Sequence, residues 1–229
     1  MCNLFASTMP QDAMRSLFAV APEDDHLGNF APLRAIFPRH DAPMVRRGEN
    51  GARELVMAHW GFVLPQTSRR TGEPIMPKAV NNARDDKLMA SGFWRSSFEE
   101  RRCLIPGSSF CEAKGRAPAV QHWFAVLDDV GDPAPFAFAG IWRRWRGLYK
   151  DEPREMEVVS MVTTGPNEVV RPVHPERMPA ILPAGDYAPW LEARPSEALS
   201  LLRPYPADRM AVIGFGEGMR VEPGGEGLG

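Results

Sequence analysis

The sequence predicts an α+β single domain: a central, mainly antiparallel β-structure flanked by short helices and Pro-rich loops. Three observations lead there. Strand-like apolar runs bounded by turn residues crowd the middle of the chain, helical spacing is confined to its ends, and 23 prolines lie between. With 229 residues, 44% of them hydrophobic, the chain is long enough to bury one substantial core.

Taken in order, Pro10 to Val20 sets Met14, Leu17 and Phe18 at i, i+3, i+4, after Thr8 and Pro10 as start signals, so a short amphipathic helix is expected. Asp24 to Pro43 is Pro-rich and weakly periodic and reads as irregular chain. Glu54 to Trp60 reads as a strand, and Gly61 to Met76 as a loop punctuated by Gly and Pro. Asn81 to Ala90 starts extended and passes into a helical turn, with Asp85 and Asp86 suited to a helix N-terminus. Arg102 to Ile105 and Phe110 to Ala113 flank the turn Pro106-Gly107-Ser108-Ser109, and Gln121 to Leu127 and Phe136 to Trp142 flank Gly131-Asp132-Pro133; both pairs read as hairpins. Glu155 to Thr164 and Met178 to Leu182 read as strands, and Tyr187 to Ala193 and Ser196 to Leu202 as helices. A domain over residues 1–216 and a flexible tail over 217–229 are expected.

Composition excludes several functions. No charged-then-apolar leader and no apolar run of ~18 residues is present, so a soluble cytoplasmic protein with no membrane partner is expected. Cys2, Cys103 and Cys111 make an odd count without C-x-x-C spacing, which speaks against a disulfide framework or a zinc knuckle. His59 and His122 have no ligand spacing with them either, so neither metal nor cofactor is expected. A net charge of −2 excludes a globally basic nucleic-acid binder. Arginine nonetheless far outnumbers lysine and comes in pairs (46–47, 69–70, 101–102, 143–144), which leaves a local phosphate-binding groove open beside the plainer reading of solvated faces.

Five residues could carry chemistry. Cys2 follows Met1, and a small second side chain permits Met1 removal. The freed cysteine would carry an amine titrating near pH ~8 beside a thiol near ~8.5. Such a pair can close a thiazolidine on an aldehyde. Glu112, on an apolar strand, is either ion-paired or raised in pKa for acid–base work. His174 lies in a loop with Pro172 and Pro175 on either side, a rigid platform for proton transfer or a structural feature. Asn82 and Arg84 alternate on an extended segment and so share a face, which suits a sugar phosphate, with turn capping as the alternative.

In order, Met1-Cys2-Asn3-Leu4, Trp60-Gly61, Asn82-Ala83-Arg84, Arg102 to Pro106, Ser109-Phe110-Cys111-Glu112, Phe138 to Trp142, Thr163-Thr164 and His174 to Leu182 resemble the SRAP (SOS-response-associated peptidase) family over nearly the whole chain. The resemblance implies a DNA damage response protein that binds abasic sites in single-stranded DNA and crosslinks through mature Cys2 as a thiazolidine. It further implies Asn82 as the orienting amide, Arg84 on a flanking phosphate, Glu112 as proton shuttle, and His174 either on the opened sugar's hydroxyl or as the acid/base that lets the crosslink reverse. Three departures stand out: Asn3-Leu4 where Gly-Arg is common, Ala113 where an aromatic usually follows the glutamate, and a histidine loop one residue longer. Two other readings stay open: an autoprocessing thiol peptidase on the same residues, and a non-covalent module for single-stranded or modified DNA. A monomer is expected.

Overall fold

The computed structural model describes residues 2–149 and 152–224. From the N-terminus, strand β1 (Phe5–Ser7) leads to helix α1 (Gln11–Phe18), which buries Met14 and Phe18 as their spacing requires. Strands β2 (Leu33–Ile36) and β3 (Asp41–Arg47) replace the irregular chain expected over Asp24 to Pro43, and β4 (Arg53–Trp60) follows. The expected loop over Gly61 to Met76 is instead a hairpin of β5 (Phe62–Thr67) and β6 (Pro74–Val80). Gly61 makes the corner: φ is 133°, and a Cβ there would sit 2.7 Å from that of Ala79.

Strand β7 (Asn82–Arg84) and a 3-10 turn at Asp85–Lys87 come next, then α2 (Arg95–Glu100). The middle holds β8 (Arg102–Gly107), β9 (Ser109–Lys114), β10 (Val120–Leu127), β11 (Pro133–Ala134), β12 (Phe136–Tyr149) and β13 (Glu152–Thr164). The chain continues through β14 (Met178–Pro179), β15 (Ile181–Leu182), α3 (Tyr187–Glu192), α4 (Pro195–Ser200) and β16 (Met210–Glu217). Neither expected hairpin forms. β8 and β9 belong to different sheets, as do β10 and β12. The turn at Pro106 to Ser109 carries the chain between sheets, whereas Gly131-Asp132-Pro133 folds β10 back onto the short β11 of its own sheet before the chain crosses into β12. The hairpins that form here are β9–β10, β10–β11 and β12–β13, and in the last the alternation runs on past Trp142.

Five strands close a ring. β13 pairs with β4, β4 with β3, β3 with β8, β8 with β12, and β12 with β13 again. Register puts Met44, Val56, Ile105, Phe138 and Val159 on the inward face, and Val45, Leu55, Leu104, Ala139 and Val158 outward under α1, α2 and α3. A second sheet, in the order β11-β10-β9-β1-β2 with β16 beside β10, lies against one end of this barrel. Phe5 of β1 seals it, meeting the edges of Trp60 and Phe138 at 4.9 and 5.5 Å.

After Glu217 the described chain runs to Gly224 along the second sheet. Ser108 and Ser109 donate to the Glu222 carboxylate at 2.8 and 2.6 Å, and the Trp123 indole donates to the Met219 carbonyl at 2.9 Å. The last five positions of the expected flexible tail, 225–229, lie outside the described residues. No described helix is long and apolar enough to cross a membrane.

Candidate active site

The site lies where β1 enters the second sheet. β1 pairs antiparallel with β9 through Phe5↔Phe110 and Ala6↔Ser109, and the Cys111 N–H donates to the Leu4 carbonyl at 2.9 Å. Continuing that register sets Glu112 across from Asn3. Cys2 has no exposed surface, and its thiol donates to the Leu4 carbonyl at 3.4 Å. The thiol is pushed well above its ordinary pKa, first by burial and then by the charge of Glu112. The ordinary thiol expected from the sequence is therefore a protonated, buried one.

Two amides hold the Cys2 carbonyl. Asn82 donates to it from Nδ2 at 2.7 Å and Asn81 from Nδ2 at 2.9 Å, and Asn81 also donates to Asn3 Oδ1 at 3.0 Å. β7 brings them there because it pairs parallel with β13, Met161 opposite Asn82. The Asn81 carbonyl is itself fixed by the Trp60 indole and the Met161 N–H, both at 3.0 Å. Asn82 Oδ1 is buried and has no hydrogen-bond partner among the described residues. It remains an acceptor aimed into the site.

Glu112 is 3% exposed, and burial pushes its carboxyl up to about 7. A group with that pKa can both give and take a proton near neutrality. His174 lies in the loop after β13, where burial lowers its pKa. Its Nδ1 accepts the Arg177 N–H at 3.2 Å, so Nε2 carries the proton of the neutral ring. Val170 and Val173 of this loop pack on the same apolar cluster as Cys2.

Hydrogen bonds add to the flanking prolines in holding the loop. Asn167 Oδ1 accepts from the N–H groups of Val169 and Val170 at 3.2 and 3.0 Å, and Arg177 donates to Asp85 Oδ1 at 2.6 Å and to the Thr163 carbonyl. Sequence reading missed Asn167, Arg177 and Asn81. Only Asn81 had a visible signal, as the first half of an Asn-Asn doublet.

The structure thus gathers Cys2, Asn82 and Glu112 and packs the His174 loop against the same cluster. Arg84 stands apart on the exposed side of β7, with Nε and Nη2 both donating to Asp86 at 2.9 Å. Cys103 and Cys111 are buried free thiols, and no three His, Cys, Asp or Glu side chains cluster as metal ligands among the described residues.

Over residues 1–216 the chain matches the family model described as SOS response associated peptidase (SRAP). It is 29% identical over 187 residues to Abasic site processing protein YoqW of Bacillus subtilis (strain 168), a span of 80% of this chain and 78% of that one. Its identity to Abasic site processing protein YobE of the same organism is also 29% over 187 residues, covering 80% of each. A crystal structure of a Bordetella bronchiseptica protein superposes with a TM-score of 0.72 at 26% identity, covering 94% of this chain and 99% of that one. One from Bacteroides thetaiotaomicron shares the fold with a TM-score of 0.71 at 21% identity, covering 92% and 90%.

Proposed function

Because the chain belongs to the SOS response associated peptidase (SRAP) family, we propose that it is a DNA damage response protein that captures abasic sites in single-stranded DNA through Cys2. The observation that carries this reading is the buried Glu112, poised near 7, beside a Cys2 whose carbonyl is held by Asn81 and Asn82. The printed names of the Bacillus subtilis relatives, abasic site processing proteins, support the same substrate.

Removal of Met1 frees the Cys2 α-amine, which attacks the aldehyde carbon of the ring-opened deoxyribose. Glu112 protonates the carbinolamine hydroxyl, which leaves as water, and an iminium remains. Sγ then bonds to the iminium carbon, its proton passing to the Glu112 carboxylate, and the thiazolidine ring closes. One water is released per adduct and no redox partner is needed. Asn82 holds the backbone of Cys2 and offers Oδ1 to a sugar hydroxyl, His174 donates from Nε2 to the opened sugar, and Arg84 meets a flanking phosphate. An amine-first order suits a thiol held protonated by burial, because the iminium is electrophile enough for a thiol that loses its proton in the same step. A thiol peptidase would need that sulfur to attack an unactivated amide. The protein acts as a cytoplasmic monomer with one SRAP domain over residues 1–216.

The test is a single-stranded oligonucleotide with one abasic site, incubated with the mature protein, heated and run on a denaturing gel. A shifted band is expected only for abasic DNA and only with a free Cys2 amine. It is absent with undamaged DNA and with a variant carrying an extra residue before Cys2. Salt-sensitive binding with no heat-stable band would replace the covalent reading with a binding module.

A further inference from the structure

A row of side chains crosses the second sheet away from the cysteine. Register pairs Glu112 of β9 with His122 of β10, and His122 with Phe215 of β16. Directly paired residues point to one face, so the three stand side by side at strand spacings of ~4.8 Å. Phe215 stacks on His122 with ring centroids 5.6 Å apart and 16° between planes, yet 69% of its surface is exposed. No other aromatic side chain among the described residues is a large exposed hydrophobic. The His122 ring is oriented by Nδ1, which lies 3.0 Å from the Val120 carbonyl.

A β-bulge aims Phe215 this way. Phe124 pairs with Val212 but Trp123 pairs with Gly214, so Ile213 is an extra residue in β16. Without it Phe215 would fall opposite Gln121 and point to the other face, away from Glu112. An exposed phenyl ring contributes little to folding, so the packing of the chain alone does not account for it.

We propose that Phe215, backed by His122, is a stacking platform for a nucleobase beside the lesion in single-stranded DNA. The proposal rests on the reading of Cys2 as the abasic-site nucleophile. A lesion lacks a base, so its neighbours have lost a stacking partner and present an open face. Bases stack on aromatic rings with little regard to sequence. Two strand spacings, ~10 Å, separate Glu112 from Phe215, the span of about three stacked nucleotides. The base in question therefore lies within that distance of the abasic sugar.

The experiment compares wild type, Phe215→Ala and Phe215→Trp on an abasic oligonucleotide, following the adduct rate below saturation and binding by fluorescence anisotropy. Phe215→Ala should lower both by about tenfold, within the range of one lost stack, while Phe215→Trp stays within about twofold of wild type. On an oligonucleotide whose neighbours on both sides of the lesion are base-free, wild type and Phe215→Ala should converge. Equal behaviour on the base-bearing strand, or an equal loss on the base-free one, overturns the platform. Absence of any wild-type adduct would instead count against the Cys2 reading, and anisotropy would still decide the platform.

Discussion

At the sealed end of the barrel, beneath Phe5, one carboxyl group and one thiol are buried with their pKa values pushed up. At the opposite end Arg46 reaches across the lumen to Glu54 at 3.0 Å and to Glu157, its guanidinium 4.5 Å from the centre of the Trp142 ring. Arg47, Arg101, Arg143 and Arg144 join Arg46 around a cavity of about 750 Å³ there. Charge density alone would place the reactive site at that second end. Yet its central cation is matched by two carboxylates, and a matched network holds strands together without being poised to react. The end proposed to react is marked instead by an acid, Glu112, that burial has displaced into the working range, which charge counting does not see.

Removing the displaced acid should have the largest effect. Glu112→Gln is expected to slow adduct formation by ~10²–10⁴-fold and to erase the limb of the pH–rate profile that inflects near 7. The stability consequence has a definite sign. A carboxyl raised from ~4.3 in the unfolded chain to about 7 in the fold favours folding least when ionised, so wild-type stability falls as pH rises through that window. Glu112→Gln lacks the loss and should be more stable than wild type at alkaline pH, by up to ~4 kcal/mol, with the advantage gone below ~4. Urea melts across the window, beside single-turnover adduct rates, measure both. An inflection that survives in Glu112→Gln would remove Glu112 from the chemistry.

The same contrast explains what was legible in the sequence. Cys2, Asn82, Glu112 and His174 could be named because short motifs around them resemble a family, and α1, α3 and α4 because helical spacing is local. Pairing was not legible. Phe110-Cys111-Glu112 reads as half of a hairpin with Arg102 to Ile105, but the partners of β9 are the following strand β10 and β1, which lies about a hundred residues back in the chain. The turn residues fix that the chain bends, not which sheet it enters. The arginine pairs misled for a similar reason: Arg102 is a buried clamp that donates to the carbonyls of Phe98, Trp190 and Ala193, and Arg46 is an internal bridge. Two cations alike in sequence are told apart only by what folds against them, the ends of α2 and α3 for Arg102 and the carboxylates of β4 and β13 for Arg46. Phe215 gave no signal, because its direction depends on a bulge.

Arg46→Met tests the other half of the comparison, with a smaller effect confined to stability. Glu54 and Glu157 are each about four-fifths buried, at 19% and 21% side-chain exposure. Deleting their shared cation leaves two carboxylates facing each other, which should cost ~3 kcal/mol. The melting temperature should drop while the adduct rate, measured below the melt, stays at the wild-type value. A loss of adduct rate in the folded variant would mean that the two ends are coupled.

The smallest effect is expected at Arg84, the one cation proposed to touch DNA that already has a partner. Its fork is taken up by Asp86, so a phosphate must share the guanidinium or displace the carboxylate. Arg84→Ala should therefore weaken binding only a few-fold and reduce the salt dependence of the affinity by about 0.7 of a logarithmic unit per unit, the value for one phosphate on a single strand. The melting temperature should not move, because the pair is exposed. Asp86→Asn separates competition from simple charge: it frees the fork and should tighten binding at low salt, with the gain lost when Arg84→Ala is added. If Asp86→Asn has no effect, or keeps its effect without Arg84, the phosphate is held elsewhere, and a paired arginine at this end of the barrel is as inert toward DNA as Arg46 is at the other.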